Sequence, residues 1–295
     1  MGSLLGLHAF AWPLYLPDST FFLFQPDAAR AFSLGIAFLA IGIIALDISA
    51  DVLDSKSVAL LGVLSALIAA LRLVGAGAIG VEPMWFLLII ASYVFGARFG
   101  FSLGVISLAV SALLTGGIGP WLPFQMLAAG WIGLFAGFIG SIAQASSHKF
   151  QRLTLILVGI ISSLTFGALM DLQLWPWIAG TDLQLSYVPG SQVVENLQKF
   201  LAFHFATALA WDIPRAITTS ILLALTSIPI VKSLQRAQIK LNFTSHAMEQ
   251  KANAPKSQNS LCHGYLSIFL NQLGNVERGE PERYQSLKKE RKFHL

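Results

Sequence analysis

Long apolar runs alternate with short polar stretches along most of this chain. A membrane helix needs roughly 20 mostly apolar residues. On that criterion the pattern predicts spans over 31–48, 57–76, 84–95, 99–115, 121–143, 153–175 and 201–231. The third is short. The last is long and carries Pro214, which is expected to kink it. From about residue 241 the alternation stops. The stretch 241–295 is polar, charged in both signs and has one modest apolar segment, so it reads as a disordered tail. Residues 1–30 carry no basic leader, and Pro13, Pro17 and Asp18 interrupt their apolar stretch, which argues against a secretory signal. Trp12, Tyr15, Phe21, Phe22 and Phe24 suit a segment at a membrane interface, where aromatic rings prefer to sit.

The polar connections fall into two sets. One set carries Lys56, then Arg98, then Lys149 and Arg152, then Lys232, Arg236 and Lys240. The other carries only Arg30 and Lys199, and the loops 77–82 and 116–120 have no positive charge. The excess of Lys and Arg marks cytoplasmic loops. The expected orientation therefore puts the N-terminus outside and the C-terminus and tail inside.

Composition sharpens this picture. Of 295 residues, 55% are hydrophobic and only 12% charged, about half the charge of a soluble domain. The net charge of +4 points to loop asymmetry rather than to nucleic acid, since no phosphate-binding glycine loop follows a strand pattern. A single cysteine, Cys262, excludes an intrachain disulfide framework and a multi-cysteine metal site. No metal or cofactor is expected.

Small residues four apart let membrane helices approach closely. Gly96, Gly100 and Gly104 form one such row; Gly133 and Gly137 form another; Ser65 with Ala69 and Ala66 with Ala70 form more. The glycine rows suit internal packing, whereas Ala66 and Ala70 could serve a partner subunit.

Ionisable groups at membrane depth are functional candidates by default. Arg72, Glu82 and Asp171 lie toward the outer ends of their spans, and Asp212 and Arg215 share a helix face three residues apart. Together they suit a pocket open to the outside. Two blander readings stand beside this: Asp212–Arg215 as a buried structural pair, and Arg72 snorkelling to the interface. His204 reads as structural. The stretch GGIGPWLPFQM at 116–126 reads as a stiff turn entering a helix, with Trp121 as an aromatic surface and Gln125 as an amide able to donate and accept. Trp121 alone also suits an aromatic belt. Trp175 and Trp177 add aromatic surface beside Asp171.

The segments ALIAALRLVGAG, EPMWFLLIIASYVFGARFGFSLG, GGIGPWLPFQMLAAGWIGLFAGFIG, TFGALMDLQLWPW and FHFATALAWDIPRAITTSILLAL resemble, in order and spacing, the substrate-binding membrane subunits (S components) of energy-coupling-factor vitamin transporters. The chain is most similar to the group linked with cobalamin. The resemblance implies an all-α polytopic membrane protein, with a six-helix S-component-like core over 57–231 and an extra transmembrane helix at 31–48. It implies a non-enzymatic subunit that captures a vitamin, a corrinoid first of all, and delivers it through a transmembrane coupling subunit and two ABC-type ATPases. Ala66 and Ala70 would match the family's docking row. The candidate substrate-binding residues are then Arg72, Glu82, Trp121, Gln125, Asp171, Trp175, Asp212 and Arg215. A smaller vitamin or nucleobase-like precursor is the nearest alternative ligand. A channel or secondary carrier is a further alternative, and so is an intramembrane enzyme using Asp171, Asp212 or His204.

Overall fold

The computed structural model describes residues 2–15, 55–75, 80–178, 185–188 and 190–252, with isolated positions between 31 and 42. The predicted leading span, 31–48, therefore lies outside the described residues, as does the tail beyond 252. The chain divides into two units, Met1–Gln238 and Ile239–Leu295. Everything below concerns the first unit unless a helix is said to run on.

Every described element is a helix: α1 (Gly2–Tyr15), α2 (Ser55–Val74), α3 (Met84–Phe95), α4 (Ala97–Thr115), α5 (Leu122–Ala143), α6 (His148–Leu174) with a short 3₁₀ turn at Trp175–Trp177, α7 (Val193–Thr207) and α8 (Leu209–Ala252). Five of them are long and apolar enough to cross a membrane: α2, α4, α5, α6 and the first part of α8, Leu209–Ile239. The twelve residues of α3 form a shorter apolar helix.

Glycine sets the way these helices meet. Gly96 has φ +93°, in the left-handed region that favours glycine, and it turns the chain sharply from α3 into α4. Along the α4–α5 contact, the backbones of Gly100 and Gly133 face each other, as do those of Gly104 and Ala129. A methyl group added at Gly100, Gly104 or Gly133 would strike a carbonyl of the opposite helix. Gly137 and Gly140 meet the backbone of Gly96, Ala97 and Tyr93 in the same manner. The predicted glycine rows are thus the seam on which α3, α4 and α5 lock, as expected where only packing holds helices together. Ser65 and Ala69 of α2 are buried, while Ala66, Ala70 and their neighbours Val63 and Leu67 form an exposed face.

Two predicted boundaries need correction. The stretch 201–231 is not one span: α7 ends at Thr207 and α8 begins at Leu209. Helix α7 is amphipathic. It turns Asn196, Phe200 and Phe203 inward and exposes Glu195, which pairs with Lys199 at 2.8 Å. Hydrogen bonds from Lys199 and Ser191 hold the Glu195 carboxyl below the usual range. At the other end, α8 runs to Ala252, into the stretch read as a disordered tail. No glycine occurs between 209 and 252, and Pro214 and Pro229 lie inside the helix without ending it.

Helix α1 packs by aromatic contacts. Phe10 lies edge-on to Phe124 at 5.1 Å and tilted against Trp131 at 5.4 Å, both on α5. Trp12 meets Trp177 and Tyr187. Of the interfacial aromatics expected at 1–30, Trp12 is buried in protein rather than spread in a belt, as is Phe10, and Phe21, Phe22 and Phe24 lie outside the described residues.

Candidate functional site

The charged residues singled out at membrane depth gather toward one end of the bundle, while Gln144 and Gln151 tie the backbone together elsewhere. Successive helices run in opposite directions, so that end is built from the C-terminal turns of α2, α4 and α6 and the N-terminal turns of α3, α5 and α8. Arg72 comes from α2, Ser111 from α4 and Gln125 from the first turn of α5. Glu82 precedes α3, and Asp212 and Arg215 open α8.

Arg215 is the centre of one network. Its Nη1 donates to Asp212 Oδ1 at 2.7 Å and to the Ser163 carbonyl at 3.3 Å, and its Nε donates to Glu82 Oε2 at 3.0 Å. The Trp85 indole N–H donates to the same Glu82 oxygen. The Phe166 ring lies 5.1 Å from the guanidinium carbon, a cation–π distance, and Trp85 packs on Phe166. Asp212 and Arg215 are 1% and 5% exposed. Charges this buried persist only when paired and hydrogen-bonded. The sequence reading of Asp212–Arg215 as a structural pair is therefore met by geometry, with Glu82 as a third member.

Arg72 is held differently. Its two terminal nitrogens donate to neutral groups, Ser111 Oγ at 3.4 Å and Gln125 Oε1 at 3.3 Å, both near the limit for a hydrogen bond. Glu82 attracts it through space. Among the described residues no carboxylate is within ion-pair distance of Arg72. It is half-buried.

Asp171 belongs to a separate group. It faces His204 Nδ1 at 2.9 Å and accepts from Thr207 Oγ1 at 3.2 Å, which ties α6 to α7. His204 stacks on Phe200. Trp175 is 1% exposed, donates to the Leu185 carbonyl at 2.7 Å and packs on Tyr187 and Phe200. Such a ring can touch a ligand only if the cluster opens. Burial pushes the Tyr187 hydroxyl above the usual tyrosine range. Trp121, at the start of α5, is half exposed, and its ring lies over Gly119.

The structure thus brings together Arg72, Glu82, Gln125, Asp212 and Arg215. It sets Asp171 and Trp175 in a neighbouring cluster and leaves Trp121 apart. Sequence reasoning did not single out Ser111, Trp85, Ser163 or Phe166. Trp85 carried a signal, three residues after Glu82 across a helix start; a backbone carbonyl such as that of Ser163 carries none.

An all-helical bundle with several membrane-length helices is the frame of a multi-pass membrane protein. The family model for the ECF transporter, substrate-specific component, matches residues 56–227, which include every member of the cluster. The chain belongs to that family. Its members are the substrate-binding subunits of transporters that also comprise a coupling subunit and ATPases; it is not an enzyme family. Searches of curated proteins and of solved structures return no match.

Proposed function

We propose that this chain captures a vitamin, a corrinoid foremost, from outside the cell and passes it to the coupling subunit and ATPases of an importer. The observation that carries this reading is the cluster at one end of the bundle, which sets Arg72, Gln125 and Ser111 beside the Glu82–Arg215–Asp212 network. Packing of the bundle does not require an amide and a second arginine there. The distribution of Lys and Arg among the loops supports an outward-facing position for this end. In this reading Arg72 and Gln125 touch the ligand directly, and Trp121 closes over it. Glu82, Asp212 and Arg215 hold the floor, and Asp171 and Trp175 flank it. The exposed face of Ala66 and Ala70 meets the coupling subunit. The division into an interfacial segment (1–30), a leading helix (31–48), a binding core (57–231) and a cytoplasmic tail (241–295) belongs to the same proposal.

The test is mass spectrometry of small molecules released from the detergent-purified protein. A corrinoid at near-stoichiometric amount supports the whole reading. A different vitamin keeps capture and overturns the corrinoid. A protein that carries nothing and binds no vitamin offered to it overturns capture.

A further inference from the structure

The two arginines of the site are in opposite situations, and the difference says what kind of ligand fits. Arg215 is neutralised: two carboxylates, a carbonyl and a ring surround it. Arg72 has five N–H donors, of which two make long bonds to neutral oxygens among the described residues. Gln125, half-buried and with Oε1 engaged by Arg72, presents its NH₂, whereas Ser111 is fully buried and serves only to position Arg72. The side of the cluster around Arg72 is therefore rich in donors.

Formal charge limits what those donors can take. Two cations, Arg72 and Arg215, stand against two carboxylates, Glu82 and Asp212, and Glu82 interacts electrostatically with both arginines. Asp171 is engaged by His204 and Thr207. A carboxylate or phosphate docked on Arg72 would add a surplus negative charge beside Glu82 in surroundings of low dielectric, where repulsion is weakly screened. A cation would meet the donors head-on. Resting on the capture reading above, we propose that Arg72 and Gln125 read an uncharged, acceptor-rich face of the ligand: carbonyl oxygens of carboxamides or of a ring imide, and not a carboxylate, a phosphate monoester or an ammonium group.

The experiment measures binding to the full chain in detergent with five probes. Cyanocobalamin and riboflavin carry no net charge, biotin and pantothenate are carboxylates, and thiamine is a cation. Each is titrated at low and high salt, and the compound released from the purified protein is identified by mass spectrometry. The proposal expects an uncharged compound, released or bound, with an affinity that changes less than about twofold with salt. Arg72→Gln should weaken it roughly 10- to 100-fold, the loss of hydrogen bonds from a charged donor. Arg72→Lys, which keeps a charged donor, should lose less. Arg72→Gln also leaves one surplus negative charge, so thiamine should gain relative to the uncharged probes. A released or bound carboxylate or phosphate whose affinity falls with salt and with Arg72→Gln overturns the proposal and leaves vitamin capture standing. Unchanged affinity for an uncharged ligand in a folded Arg72→Gln also overturns it. A protein that releases nothing and binds none of the five overturns the capture reading itself.

Discussion

Gly167→Ala puts a single methyl group where the α6 backbone meets the head of α8. The added carbon would fall well inside contact distance of both carboxylate oxygens of Asp212. Asp212 has a short side chain, 1% exposed and fixed by its 2.7 Å bond to Arg215, so it has nowhere to swing without leaving that bond. Removing one partner from a buried ion pair costs about 3–5 kcal/mol. Alanine returns about 1 kcal/mol of helix propensity over glycine. The net expectation is a loss of about 2–4 kcal/mol. Thermal or denaturant unfolding in detergent reads it, within a cycle that includes Asp212→Ala. With the carboxylate removed, the new methyl has no oxygen to strike, and Gly167→Ala should become neutral or slightly stabilising. Gly159→Ala is the control. Its methyl would meet side-chain methyls, Leu223 Cδ1 at 2.6 Å and Thr219 Cγ2 at 3.1 Å, and no charged group, so any cost should be the same with and without Asp212. A Gly167→Ala protein as stable as the parent, or one equally destabilised with and without Asp212, would refute the claim that this glycine exists to seat the carboxylate.

Three further outcomes are expected. Phe10→Ala empties the contact between α1 and the Phe124–Trp131 face of α5, and it should cost about 3–5 kcal/mol in the same unfolding assay. Ala66→Trp and Ala70→Trp alter an exposed face, so they should leave ligand binding and stability unchanged while lowering capture by the purified coupling subunit more than about tenfold. In a Cys262→Ser background, a membrane-impermeant thiol reagent applied to whole cells should label Ile118→Cys and not Ala145→Cys; the reverse pattern would invert the orientation drawn from the loop charges.

The parts of this fold that could be read from the sequence are those fixed by local chemistry. The span predicted at 84–95 coincides with α3, because Pro83 and Gly96 punctuate it at both ends. The starts and ends of α2, α4, α5 and α6 fall within a few residues of the predicted ones for the same reason: a proline, a glycine or a charge marks each turn. The break between α7 and α8 has no such mark. Ala208 sits among good helix formers with ordinary helical angles, φ −81° and ψ −30°. What separates the two helices is tertiary. Asn196 bonds the backbone of Val188, Phe200 and Phe203 pack around Trp175, and His204 meets Asp171, so α7 is held to its own neighbours.

The site divides along the same line. Helical spacing pairs Asp212 with Arg215, since residues three apart share a face. No local rule supplies Glu82, which reaches Arg215 across 133 positions of sequence, or joins Arg72 to Gln125 across 53. Those two contacts decide what the arginines do. The first turns Arg215 into a buried strut, because a second carboxylate neutralises it. The second leaves Arg72, among the described residues, with neutral partners only. Two arginines that look alike in sequence thus acquire different roles from which acceptors the topology brings to them. That difference is also why Arg72 is the residue at which a change should reach the ligand, while a change at Arg215 should reach the fold first.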